Sequence, residues 1–422
     1  MRHKFTTAGA ALIAGLACSG SAYAETTVVS VLGLTMDRDD ETEYRHAIAE
    51  AYEAANPDVD IQLEFIENEA YKAKLPTLLQ SPARPDIFFS WGGGVYTEQA
   101  NAGVVQDISD MASPECQANH SDAGINAFSR DGELNGLPMY ASEVVFWYNK
   151  ELAEEAGVDV EAIETWDDFL AVVETAKAAG VTPIIAGGKD KWPLHFYYSL
   201  LAVRMIGEDG INLASAGENG GYNNEDWIAV GEEFTRLVDL DPFQPGFMDA
   251  GYDKASNLFG DGQGLFHLMG NWDYNSSRVH STSGEGIADE NLGLIQFPSM
   301  EDGAGNDGDT FGGINGWLVS ADASQEAVDF LCFMVNAENQ RRGGELGFWI
   351  PVARGAAESI QNPFYQQVSE HIAESSFHQL FLDQALGASV GGTVNDMSAD
   401  LASGNTTPAE AAEMIEEARQ FQ

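Results

Sequence analysis

The chain has 422 residues, with 67 Asp and Glu against 20 Lys and Arg, a formal net charge of −47 at pH 7. So acidic a chain excludes nucleic-acid binding and docking to anionic lipid, since both need clustered Lys and Arg facing phosphate. The acids are spread along the sequence rather than gathered in one tail, which reads as a solvated surface suited to a salty medium, and the length allows two domains of ordinary size.

The first residues read as a signal peptide, residues 1–24. Arg2, His3 and Lys4 form a basic start, Ala8 to Ala17 an apolar run, and Ala22-Tyr23-Ala24 a small-x-small cleavage site. The run is too short for a permanent anchor. Gly15-Leu16-Ala17 before Cys18 is a poor lipoprotein signal, so a soluble product cut after Ala24 is expected. Loss of Arg2 and Lys4 takes the formal charge to −49. Cys116 and Cys332 remain. An exported setting permits a disulfide, but the sequence leaves open whether the two meet. There is no zinc-type Cys/His spacing and no HExxH motif, and neither a metal nor a cofactor is expected.

Thr26 to Leu34 reads as a first strand, Glu43 to Ala54 as a helix with Tyr44, Ile48 and Tyr52 on one face, and Val59 to Phe65 as an alternating second strand. A helix follows over Tyr71 to Leu79. Pro85 to Phe89 is the next strand, ending in Ser90-Trp91-Gly92-Gly93-Gly94. Val144 to Tyr148 is a continuous apolar and aromatic run, the mark of a strand buried on both faces in mid-sheet. Asn149 then starts a helix that stops at Gly157. Trp166 opens another helix after Thr165, a good N-cap. A strand over Thr182 to Ala186 leads into Gly187-Gly188-Lys189-Asp190-Lys191-Trp192, and a helix runs from Leu194 to Ile206. Asn212 to Asn224 is Gly- and Asn-rich and reads as a loop, with a helix over Trp227 to Val238. Gly264 to Trp272 is a strand running into a turn, followed by strands over Leu292 to Phe297 and Phe311 to Ser320 and a helix over Glu326 to Val335. Strands alternate with helices throughout, which gives an α/β fold.

Several of these segments carry a family resemblance. LNGLPMYASEVVFWYNKELAEEAG (Leu134 to Gly157) resembles the signature of the sugar-type extracellular solute-binding proteins of ABC importers, with Trp147 where an aliphatic residue is usual and Tyr140 where a small one is. NPDVDIQLEF, the pair PDIFFSWGGG and AGVVQDIS, TWDDFLAVVETAKAAGVTPI, GLFHLMGNW, the helix at Glu326 and Gly347 to Pro351 resemble further stretches of the same family. The resemblance implies a two-lobe periplasmic binding protein fold, type II-like, with discontinuous lobes and a ligand cleft at the hinge. One lobe would be 25–137 plus 311–347, the other 138–310 plus 348–422. It implies a monomeric periplasmic protein that closes on a carbohydrate, such as a small oligosaccharide, and delivers it to ABC permease subunits without catalysis.

Ligands of open α/β sheets bind beyond the carboxyl ends of strands, and a sugar needs an aromatic plane for its C–H face and polar side chains for its hydroxyls. The candidate cleft residues are therefore Glu43, Trp91, Gly92, Gly93, Trp192, His195, Asn271, Trp272, Asp273, Gly313, Trp317, Phe348 and Trp349. Trp147 and Trp166 are assigned to core packing and a helix start. Rival readings are the same scaffold with a polyol, glycerophosphodiester, polyamine or metal as ligand, or an exported carbohydrate-active enzyme. Gly387-Ala388-Ser389-Val390-Gly391 fits GxSxG, but no His follows His378, so the hydrolase order fails.

Overall fold

The computed structural model describes residues 26–422; the signal peptide expected over residues 1–24 lies outside them. The strands in chain order are β1 (Thr27–Leu34), β2 (Val59–Ile66), β3 (Ile87–Ser90), a small hairpin of β4 (Ser129–Arg130) and β5 (Glu133–Leu134), β6 (Gly136–Asn149), β7 (Phe266–Gly270), β8 (Leu292–Ile295), β9 (Thr310–Val319), β10 (Ile350–Pro351) and β11 (His378–Leu380). Among the described residues one mixed sheet runs β10-β6-β9-β3-β1-β2, with β7 and β8 added to β6 and β11 to β9. β1 pairs in parallel with β2 and β3, as the helical crossovers Asp39–Ala55 and Asn68–Leu79 require.

β6 and β9 decide the architecture. They are antiparallel, with Ser142 opposite Gly313 and Glu143 opposite Gly312. A Cβ on Gly312 would lie 1.8 Å from the Ser142 carbonyl oxygen, so only glycine lets the strands approach there. Leu137 and Met139 of β6 join a first hydrophobic core with Val29, Ile48, Phe88 and Phe330. Val144 to Tyr148 of the same strand join a second core with Phe169, Tyr197, Phe266 and Val394. β9 crosses the other way, Phe311 packing in the second core and Trp317 to Val319 in the first. Two lobes are thus joined by a pair of crossing strands.

Cys116 and Cys332 are bonded, with Cα atoms 5.5 Å apart, and tie the helix Pro114–Ala118 to Gln325–Met334 within the first lobe. Two local expectations, the strand over 182–186 and the loop from Asn212, differ from the structure. Residues 182–186 form only isolated bridges at Ile184, to Phe243 and Phe266. Pro183 cannot donate, and the Gln244 side chain serves the Ala186 backbone at 2.9 and 2.6 Å in place of a strand. The expected loop from Asn212 begins inside a helix, Gly207–Ser215, held by buried Ile211 and Ala214. The GxSxG stretch is the first turn of the helix Gly387–Ser403, with no strand leading into it. No helix among the described residues is long and apolar enough to cross a membrane.

Candidate functional site

The candidate cleft draws on strand and helix ends of both lobes. On the first lobe Trp91 follows β3 and makes edge contacts with Phe89 and Tyr71, ring centroids 5.0 and 5.8 Å away. It packs against both cores, which places it at the lobe junction. On the second lobe Trp192 opens the helix Trp192–Met205. Lys191 before it sits at φ 64°, a left-handed turn that swings the chain into the helix. The Trp192 ring meets Tyr252 at 5.2 Å and Phe196 at 5.4 Å. Trp272 lies after β7, flat on Gly270, where a Cβ would fall 1.9 Å from the indole. All three indoles are partly exposed.

The other candidates divide into supports and corrections. His195 is fully buried behind Trp192, its Nδ1–H donating to the Trp192 carbonyl oxygen at 2.7 Å, with Asp383 3.8 Å from Nε2. Burial pushes its pKa down, against the pull of Asp383, so it is a neutral brace and not a ligand contact. Asn271 is buried and pins the hinge strand, accepting from Glu143 N at 3.1 Å and donating its own N–H to Glu143 O at 3.0 Å. Asp273 is also buried. Its Oδ1 accepts from Ser256 Oγ at 2.5 Å, His267 Nε2 stands 3.6 Å from Oδ2, and burial raises its pKa.

Trp317 and Trp349 are only 1% and 3% exposed, and both pack in the first core. The Trp317 indole meets Phe89 edge-on and its N–H points at Met139 Sδ; Trp349 N–H donates to Gln340 O at 3.2 Å. Neither faces the cleft. Phe348 is likewise buried, packed on Tyr44 and under the Arg38 guanidinium at 4.9 Å. Glu43 stands exposed on the helix Asp39–Ala55; the acid that turns inward is Glu41, paired with buried Arg45 at 2.8 Å. Gly92 is buried at the helix entry with φ 73°. A Cβ on Gly93 would come 2.9 Å from Gln384 O, and one on Gly94 2.5 Å from Ala385 O, so these glycines admit the backbone of the opposite lobe rather than a ligand. Gly313 is buried under Phe381, 2.7 Å from a hypothetical Cβ.

The residues that sequence reasoning missed are those that cross the cleft. Asp37, just past β1, accepts a hydrogen bond from Ser276 Oγ and stands 3.3 Å from His280 Nε2, both on the helix Asp273–His280 of the second lobe. Arg38 reaches Asn275 Oδ1 at 3.4 Å, and Asn275 Nδ2 donates to Gly347 O at 2.9 Å. The hydrogen bond to Asp37 holds the His280 pKa above its ordinary value, with Asp253 and Asp273 adding to it. Asp253 is pushed up by desolvation, opposed by His280 and reinforced by Asp37, Glu67 and Asp190. Lys72, on the helix Asn68–Leu79, extends from the first lobe until its Nζ lies 5.7 Å from the Trp91 ring centroid and 5.8 Å from that of Trp192. Asp37 and Glu67 also end strands, so the strand-end rule would have found them had it not been applied to tryptophan-bearing ends alone.

Comparison with known proteins shows the family and the fold. The family described as bacterial extracellular solute-binding protein matches residues 38–341. An uncharacterized ABC transporter extracellular-binding protein of Pyrococcus horikoshii is 26% identical over 236 residues, 55% of this chain, and the match spans 53%, about half, of that relative's length. A multiple sugar-binding protein of Streptococcus mutans is 23% identical over 348 residues, 80% of this chain and 78% of the relative. A solved structure described as a chitin oligosaccharide binding protein superposes with a TM-score of 0.84 at 22% identity, covering 94% of this chain and 99% of its own.

Proposed function

The chain belongs to the bacterial extracellular solute-binding proteins, and from that premise we propose that it captures a carbohydrate, such as a small oligosaccharide, between its lobes and delivers it to the permease of an ABC importer. The observation that supports this reading is that three tryptophans at strand and helix ends stay partly exposed, Trp91 on the first lobe and Trp192 and Trp272 on the second, with Lys72 reaching both Trp91 and Trp192 and Asp190 beside Trp192. Indole planes suit the C–H faces of a sugar, and carboxylates accept from its hydroxyls. Closure by the two crossing strands would bury the sugar and shift the population toward the form the permease recognises. The ligand is released unchanged; the protein acts as a monomer in the periplasm after cleavage following Ala24.

A tryptophan-fluorescence titration of the mature protein with a panel of mono- and oligosaccharides, followed by product analysis, tests this reading. A saturable change with one sugar class and unaltered ligand supports it. Turnover, or silence across the panel, overturns it.

A further inference from the structure

The aromatic faces of the cleft already hold a group of the protein's own. The Lys72 ammonium stands between an indole of the first lobe and one of the second, 5.7 Å from the Trp91 centroid and 5.8 Å from that of Trp192. Its one paired carboxylate among the described residues is Glu69, at 3.2 Å on the same helix. The positive field reaches the second-lobe wall, where Lys72 helps hold buried His195 neutral. Beside Trp192, Asp190 accepts from the N–H of Tyr252, whose ring meets the indole at 5.2 Å. Two indole faces with Glu69 and Asp190 beside them are the chemistry that recognises an organic cation. Without Lys72 this cleft would be a cation trap in a protein of formal charge −47.

We propose that Lys72 sets the charge class of the ligand: its ammonium takes the position that a ligand cation would occupy between Trp91 and Trp192, so the cleft accepts uncharged sugars and rejects polyamines and other organic cations. The inference rests on the reading of this cleft as the ligand site. An uncharged ring brings no charge against the ammonium, and its hydroxyl oxygens can accept from the three N–H donors. A second cation meets like-charge repulsion between apolar walls, where solvent screens poorly. The long flexible stem of lysine lets the ammonium move along the indole faces as a sugar enters, which a shorter fixed cation could not do.

Spermidine serves as the probe, titrated by calorimetry in high salt into the wild-type protein, Lys72→Met, which keeps the stem, and Lys72→Arg, which keeps the charge. Lys72→Met is expected to bind spermidine at least about tenfold more tightly than the other two, and Lys72→Met/Trp192→Ala to lose that gain, which separates the cleft from diffuse binding to the acidic surface. Near-UV circular dichroism and the melting temperature report folding, and Lys72→Gln replaces Lys72→Met if the latter does not fold. Equal spermidine binding by wild type and the uncharged variant, or a gain that survives loss of Trp192, overturns the proposal. The comparison uses no sugar, so its failure is distinct from failure of the sugar panel to bind.

Discussion

Reduction of the Cys116–Cys332 bond should cost the first lobe most of its margin of stability. That lobe is assembled from two chain segments separated by the central part of the second lobe, and the bond closes a loop of 216 residues. In the chain-entropy picture such a loop restricts the unfolded state by about 5 kcal/mol. If the second lobe stays folded, its ends are held together at β6 and β9, and the free loop shrinks to roughly 45 residues, worth about 4 kcal/mol. Both values are a large fraction of the roughly 5–15 kcal/mol that stabilises an ordinary domain. The experiment is urea unfolding of the oxidised protein and of Cys116→Ala/Cys332→Ala, followed by far-UV circular dichroism and by fluorescence. The variant should lose about 4 kcal/mol and show a first-lobe transition ahead of the second-lobe one, because two separate cores need not unfold together. A loss below about 1 kcal/mol with a single unchanged transition would refute the argument that the bond closes a discontinuous lobe.

Other consequences follow from the same geometry. Trp317→Ala removes a fully packed indole from the first core and should cost about 3–5 kcal/mol in thermal or chemical unfolding while leaving sugar affinity unchanged well below the melting temperature. Gly94→Ala puts a methyl 2.5 Å from Ala385 O and Gly387 N of the second lobe; sugar affinity should fall by at least about tenfold with helix content intact, as the lobes are wedged apart. The Asp37–His280 contact joins the two lobes, and there the His280 pKa is raised above its ordinary 6.5, so its contribution to holding the lobes together is complete below that value and is lost as pH rises through the raised one. Distances between spin labels on the two lobes should therefore shift toward open forms as the medium turns alkaline, and His280→Gln should abolish the shift; a variant that keeps it would place the titration elsewhere.

Periodicity made most elements legible because burial on one face leaves a pattern in the residues themselves. The apolar run Val144 to Tyr148 is a buried strand, Asn149 caps the next helix through Glu151 N and Leu152 N, and Gly157 ends it in a left-handed turn. The first half of β6 was not legible. The apolar run starts only at Val144, after Pro138, Ser142 and Glu143; yet Glu143 is buried in the strand, with its carboxylate taken by Gln296 and by His371 Nδ1 at 3.0 Å. Such a partner lies 228 residues away and leaves no local trace. The candidate site was legible in part for the same reason. Tryptophan beside polar residues picked out Trp91, Trp192 and Trp272, which the structure leaves partly exposed, but the same appearance at Trp317 and Trp349 belongs to strand and turn residues whose faces point into a core. Asp37, Lys72 and His280 gain their meaning only when the opposite lobe is in place, 239 residues on for the Asp37–Ser276 pair.

The most direct test of sugar capture in the cleft is a calorimetric titration of the tightest-binding oligosaccharide into the wild type and into Trp192→Ala side by side. Trp192 keeps part of its indole exposed while resting on Phe196 and Tyr252 at the edge of the second core, so the variant, checked for folding by its melting temperature, should bind at least about tenfold more weakly, the loss of one aromatic anchor. Wild-type affinity in Trp192→Ala would contradict the account and move the ligand away from this cleft.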